Sequence, residues 1–175
     1  VQHSKHRVTA QHLTGLVLPQ ESHECTGSDC VGNGIVISSS TVSGSNVTAT
    51  GNSEYGLSIT GGSVNITSAT ASSNTLSGAL LSSASTSFET GEFSSNGEYG
   101  LESTDGTLVL KSSDVSNNGF DGLTVSGTTV TATENTFSNN AEYGMSCDGT
   151  ETIDSCSNEM LGNGLGDYDG CQSCE

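Results

Sequence analysis

Residues 96–123 read NGEYGLESTDGTLVLKSSDVSNNGFDGL and contain one full period of the chain: Asn96 and Gly100-Leu101 return 22 residues later as Asn118 and Gly122-Leu123. The same marks continue in both directions. A Gly followed by an apolar residue occurs at Gly34-Ile35, Gly56-Leu57, Gly78-Ala79, Gly100-Leu101, Gly122-Leu123 and Gly144-Met145. An Asn stands four residues before the Gly at Asn52, Asn74, Asn96, Asn118 and Asn140. A fixed period of this size marks stacked repeats, each too small to bury its own apolar face. With no insertion over five steps, each residue must sit above its equivalent in the preceding repeat.

Counting from each Gly as position 1, apolar residues recur at positions 2 and 4 (Leu57/Ile59), 9 and 11 (Val64/Ile66), and 14 and 16 (Ala69/Ala71). Three short segments per repeat therefore alternate with period two, the pattern of half-buried strands. Helical i, i+3, i+4 spacing is sustained nowhere. Gly, Ser, Asn and Asp between the segments suit tight turns. The expectation is three short strands per repeat, with positions 2, 4, 9, 11 and 16 facing inward. The Asn ladder is expected to be structural. Asn tolerates the left-handed conformation at a bend, and stacked amides can bond repeat to repeat.

Repeat length, inward alternation and the Asn ladder together resemble the right-handed parallel β-helix superfamily, which includes pectate lyases, pectin-modifying enzymes and surface adhesins. The resemblance implies an all-β fold, a single-stranded parallel β-helix (β-solenoid) of about six 22-residue coils with Cys-containing caps. The expected limits are an N-terminal arm and cap over 1–33, the β-helix over 34–165 and a Cys-containing tail over 166–175. Activity does not follow from the resemblance, because such folds host many functions. A finer period is also present. Glu54-Tyr55-Gly56, Glu98-Tyr99-Gly100 and Glu142-Tyr143-Gly144 close alternate repeats, so the duplicated unit spans two of them.

Composition narrows the function classes. The chain has 175 residues, one domain by length, with 20 acids against three bases and a formal charge of -17. Phosphate contacts need a basic surface, so a nucleic-acid partner is excluded. No apolar run is long enough for membrane insertion as a helix. Six cysteines in a small Ser/Thr/Gly-rich chain point to an oxidising compartment. Val1 opens the sequence without a leader, which reads as a mature secreted chain or an excised domain, extracellular or at the cell surface. The expected disulfides are Cys25–Cys30, Cys147–Cys156 and Cys171–Cys174, each a local staple at an end of the stack. Asn46-Val47-Thr48 and Asn65-Ile66-Thr67 are sequons that make Asn46 and Asn65 candidate glycan acceptors.

Catalytic chemistry finds little support. A lyase needs a basic residue beside a cation or a basic cluster, and the chain offers Lys5, Arg7 and Lys111. A hydrolase needs acids at catalytic separation. Glu89, Glu92, Glu102, Asp105, Asp114 and Asp121 lie in two neighbouring repeats, and Glu92 and Asp114 share position 15. These two should stack about one strand spacing apart. Ca²⁺ between them is the alternative to a solvated acidic patch, but no Ca²⁺-loop pattern supports it. Cys171 and Cys174 lack the further ligands of a zinc site. His3, His6, His12 and His23 fit no metal spacing and belong to an N-terminal tail. No catalytic residue, metal ligand or cofactor is assigned.

Tyr55, Tyr99 and Tyr143 should form a ridge about 10 Å in step, able to stack on sugars or to cover their own turns. Three function classes remain. The first is a secreted structural solenoid that forms a filament, coat or matrix through head-to-tail contacts with itself. The second is an extracellular carbohydrate-binding or adhesion module. The third is a polysaccharide lyase or hydrolase.

Overall fold

The computed structural model describes residues 13–14, 28–149, 152–154 and 157–171. Its strands are β1 (Leu13–Thr14), β2 (Ile35–Ser38), β3 (Thr41–Ser45), β4 (Leu57–Thr60), β5 (Ser63–Thr67), β6 (Ala79–Glu89), β7 (Leu101–Lys111), β8 (Asp114–Ser116), β9 (Leu123–Thr133), β10 (Thr136–Ser138), β11 (Tyr143–Cys147), β12 (Thr152–Asp154), β13 (Glu159–Leu161) and β14 (Gly166–Asp169). No helix occurs among the described residues. Successive coils pair in parallel: Leu57 opposes Ala79, Ala79 opposes Leu101, and Leu101 opposes Leu123. The chain is an all-β parallel solenoid of about six coils, each stacked on the last at the sequence period of 22.

The strand count differs from the expectation. In the middle coils, the first two segments merge into single 11-residue strands, β6, β7 and β9. In the second coil, Gly61 and Gly62 both take positive φ (61° and 78°) and divide β4 from β5. Later coils turn the same corner at Ser83 (51°) or at Asp105 and Gly106 (53° and 104°), and the ladder resumes directly after it. The third segment forms β8 and β10, continued in earlier coils by single bridges at Thr48–Thr70, Thr70–Glu92 and Glu92–Asp114.

Three corners bend each coil, and left-handed residues make them. Position 13 carries Asn46, Ser68, Thr90, Ser112 and Glu134, all with φ between 49° and 59°. Position 18 carries Gly51, Ser73, Ser95, Asn117 and Asn139. The ladder asparagines follow position 18 and are not themselves left-handed, which corrects half of the expected rationale. The preceding residue makes the bend, and the Asn side chain turns into the interior.

There the ladder residues are only 1–3% exposed. The amide Nδ2 of Asn52 donates to Asn74 Oδ1 (2.8 Å), Asn74 to Asn96 (3.0 Å), Asn96 to Asn118 (3.1 Å) and Asn118 to Asn140 (2.9 Å). The backbone N–H of each donor residue reaches the same Oδ1, as from Asn74 to Asn96 at 3.1 Å. The other amide hydrogen satisfies a carbonyl three residues upstream of the preceding rung, such as Ala71 for Asn96. Each amide thus satisfies groups that the sharp corner removes from the strand ladder. Asn140 continues the series to Asn163 at 3.0 Å, across 23 residues instead of 22.

The core holds aliphatic and aromatic side chains from positions 2, 4, 9, 11 and 16, including Leu57, Leu81, Leu108, Phe88, Phe93 and Phe137. Position 14 also faces inward, through Val47, Ala69, Gly91, Ser113 and Asn135. The size of these residues is traded between neighbours. A Cβ on Gly91 would lie 2.5 Å from the Phe93 ring, whose centroid is 5.0 Å from that of Phe88. Asn135 begins a second, shorter ladder: it accepts from the Ser113 N–H (2.9 Å) and donates to Asn158 (2.9 Å).

Two buried hydroxyls among the described residues, Ser77 and Thr86, have no hydrogen-bond partner. Thr86 stands at position 9, where adjacent coils place Val64 and Leu108. Thr86→Val keeps the shape and removes a stranded polar group, and is expected to stabilise the fold by about 1 kcal/mol. A urea midpoint that rises supports this; one that falls shows that the hydroxyl does useful work.

At the N-terminal end, β1 lies antiparallel on β3, with Leu13 opposite Gly44. At the other end β14 begins a further coil on β11 and brings Tyr168 and Cys171 against the core. The stack thus includes residues 28–33, whose Cys30 N–H bonds Asn52 Oδ1 at 3.0 Å, and runs on to 171. Cys147 is bonded to Cys171, with Cα atoms 5.0 Å apart, which corrects the expected Cys147–Cys156 and Cys171–Cys174 pairs. The staple runs between coils, not within one, because parallel stacking of β14 on β11 places the two Cα atoms within disulfide reach. Cys30 is disulfide-bonded; Cys25, Cys156 and Cys174 lie outside the described residues.

Candidate functional site

Between the Asn ladder and the next strand, positions 21 and 22 form one edge of the solenoid. Position 22 alternates Tyr55, Ser77, Tyr99, Asp121 and Tyr143, while position 21 alternates Glu54, Leu76, Glu98, Phe120 and Glu142. Backbone bonds hold the register: Leu76 N–H to Glu54 O (3.2 Å), Phe120 to Glu98 (3.0 Å) and Leu165 to Glu142 (2.9 Å). Leu165 therefore continues the apolar series one residue late, after the single-residue insertion that also moves Asn163.

The two columns interlock. Ser77 and Asp121 are buried, whereas the three tyrosines and Leu76 are half-buried. Phe120 is 38% exposed and Leu165 63%, which leaves apolar surface open along the edge. The rings of Tyr99 and Phe120 lie 5.4 Å apart, tilted. One apolar side chain per coil thus runs from Tyr55 through Leu76, Tyr99, Phe120 and Tyr143 to Leu165. Asp121 accepts the Tyr143 N–H at 2.9 Å, and Asn33 does the same for Tyr55 at 3.2 Å. These acceptors fix the backbone beneath two of the rings.

The edge is electronegative. Burial pushes the Tyr99 hydroxyl above its ordinary pKa, and Asp121, Glu102, Glu142 and Glu98 push it further. Tyr55 is raised by burial and then by Glu102, Glu98 and Glu54. Burial raises the Glu102 carboxyl, with Glu98 adding repulsion. Asp121 is raised by burial, opposed by its bond from Tyr143 and helped by Glu142 and Asp169.

The remaining candidates fall elsewhere. Glu92 and Asp114 are paired neighbours on an exposed face, with Ser94 Oγ donating to Glu92 at 2.9 Å. Lys111 Nζ lies 3.9 Å from Glu89, both half exposed, a surface pair of small energetic weight. Among the described residues, no three His, Cys, Asp or Glu converge as metal ligands. Asn46 and Asn65 are exposed, Asn46 at a left-handed corner with φ 55°. Lys5, Arg7 and the four histidines lie outside the described residues.

Sequence reading found the tyrosines but not the apolar residues between them. The signal was the alternation of Glu with Leu or Phe at position 21, visible once coils are taken in pairs. The family described as right handed beta helix region matches residues 33–172. No curated protein and no solved structure matches the chain. With regular parallel coils, a buried amide ladder and a family match over most of its length, the chain belongs to the right-handed β-helix family.

Proposed function

We propose that the chain is a secreted structural β-solenoid that assembles end to end into an extracellular filament, coat or matrix. The observation that carries this reading is the pair of strand edges left at the ends of the stack. Among the described residues β2 pairs only with β4, β13 only with β10, and β14 only with β11. Interior strands satisfy both edges through the coils above and below, and an unpaired edge is a template for another chain. β1 lies opposite Ser43 and Gly44 of β3, and among the described residues no strand covers the outer edge of β2.

Charge favours the same contact. The last coils carry Asp148, Glu159, Asp167 and Asp169 with no Lys or Arg, while residues 1–12 carry Lys5 and Arg7 and no acid. Opposite charge at two different surfaces gives a heterologous contact, which propagates when rotation does not close it. The Cys147–Cys171 bond supports an oxidising compartment.

Sedimentation velocity of the full chain at low and high salt tests the reading. Concentration-dependent assembly at low salt, lost when residues 1–12 are removed, is the expected result. A monomer under all conditions contradicts it. The exposed aromatic edge favours a second reading, an extracellular carbohydrate-binding or adhesion module.

A further inference from the structure

The edge from Tyr55 to Leu165 runs along the coils and is not used by the assembly reading. Its apolar side chains come one per coil, about 4.8 Å apart, so that Tyr55, Tyr99 and Tyr143 recur about every 10 Å. A Glu precedes each Tyr directly: Glu54, Glu98 and Glu142. Lys111, the single Lys or Arg among the described residues, lies beside Glu89 and not on this edge.

We propose that this edge binds an extended β-1,4-linked polysaccharide bearing free amines, a glucosamine polymer, laid along the solenoid axis. Three features select that ligand, and none depends on end-to-end assembly. The first is the partly exposed rings: the C–H faces of a pyranose stack on aromatic surfaces, as the edge offers at half-buried Tyr99 and exposed Phe120. The second is the repeat. An extended β-1,4 chain turns each sugar over relative to the last, so that like faces recur every second unit. The edge likewise alternates between Tyr and an aliphatic or Phe side chain and recurs every second coil. A sugar unit and a coil advance by similar distances, so stacking contacts stay in step along the rod.

The third feature is charge. A carboxylate beside every Tyr accepts hydrogen bonds from sugar hydroxyls and attracts protonated amines. The same carboxylates, on a chain of net charge -17, repel uronic-acid polymers. A neutral glycan gains the stacking without the ionic attraction.

Calorimetric titration of the full chain with glucosamine hexamers tests this, in a mildly acidic buffer that keeps the sugar amines protonated and ordinary carboxylates ionised. Binding is expected, at least tenfold tighter than to N-acetylglucosamine hexamers of the same shape, with none to polygalacturonate. Tyr99→Ala should weaken it about tenfold, whereas Tyr99→Phe, which keeps the ring, should stay within about twofold. Leu165→Ser alters a side chain already 63% exposed, so it leaves the fold intact and should still weaken binding. No affinity for glucosamine hexamers, or affinity unchanged in both Tyr99→Ala and Leu165→Ser, overturns the proposal. Equal affinity for polylysine with the same loss in Leu165→Ser also overturns it, and makes the edge a site for basic peptides.

Discussion

Replacing Asn96 by Ala should destabilise the fold by roughly 3–5 kcal/mol, while Ser94→Ala on the outward side of the same turn stays within about 0.5 kcal/mol. Asn96 is buried in the middle of the amide ladder. Its Oδ1 accepts from the backbone N–H of Asn74 at 3.1 Å and from Asn74 Nδ2 at 3.0 Å. Its Nδ2 donates to Ala71 O and Asn118 Oδ1, both at 3.1 Å. Truncation strands two donors of Asn74 where water does not reach. Each stranded donor costs about 1–3 kcal/mol, and the missing amide leaves a cavity as well.

Asn96→Asp adds a sign. A carboxylate there keeps the two incoming bonds but faces two acceptors, Ala71 O and Asn118 Oδ1, so burial and repulsion raise its pKa in the folded chain. A raised folded pKa makes the variant lose stability as pH rises from the unfolded value through the folded one. Urea unfolding across that window checks both variants. An Asn96→Ala midpoint equal to that of Ser94→Ala would show that the ladder carries no such weight.

Gly100→Ala, just before β7, should cost about 3 kcal/mol or more, although Gly100 does not take the positive φ that disfavours a side chain. The added Cβ would stand 2.4 Å from Val115 Cγ1, 2.5 Å from the Gly122 carbonyl and 2.9 Å from Asn118 Nδ2. Two of these three are fixed by the stack. The Gly122 carbonyl accepts the Leu101 N–H at 2.9 Å, and Asn118 Nδ2 is a ladder rung. Neither can yield without opening the coil-to-coil pairing, so overpacking and a weakened hydrogen bond add. The contrast is Gly61→Asn, at a corner where Gly takes φ 61° and where equivalent coils place Ser39, Ser83 and Asp105. A Cβ there meets Ser39 Oγ at 3.4 Å, an ordinary contact, and Asn tolerates the left-handed region. Its cost should be under about 1 kcal/mol. Equal stability losses in Gly100→Ala and Gly61→Asn would refute the packing account of the register glycine.

These two positions show what the sequence made legible. Gly100 and Asn96 recur at fixed spacing because each touches its own equivalent in the adjacent coil, and a contact of that kind writes itself into the period. The left-handed corners were harder to see. Ser95, Thr90 and Glu134 adopt φ near 55–59° with no composition to announce it, since the stacked coils impose the turn. Position 14 was hidden for the opposite reason. Its polar members, Ser113 and Asn135, look outward by composition yet are buried and bonded along a second ladder.

The last rungs of the two ladders were hidden in the sequence because one inserted residue shifts Asn158, Asn163 and Leu165 out of phase. That shift also concealed the closeness of Cys147 to Cys171. Phe120 was visible but unassigned, since its role depends on Tyr99 in the preceding coil. Function lies outside the period altogether. Uniform ladders specify a rod, and what a rod contacts is decided at its ends and edges.

Electron microscopy of the full chain at high concentration and low salt tests end-to-end assembly most directly. Six coils at about 4.8 Å give a rod of about 30 Å, plus its end caps. Filaments whose axial repeat matches one such rod, with the strands perpendicular to the filament axis, are the predicted result. Single rods of one length at every concentration, or aggregates joined side by side with free ends, would contradict it.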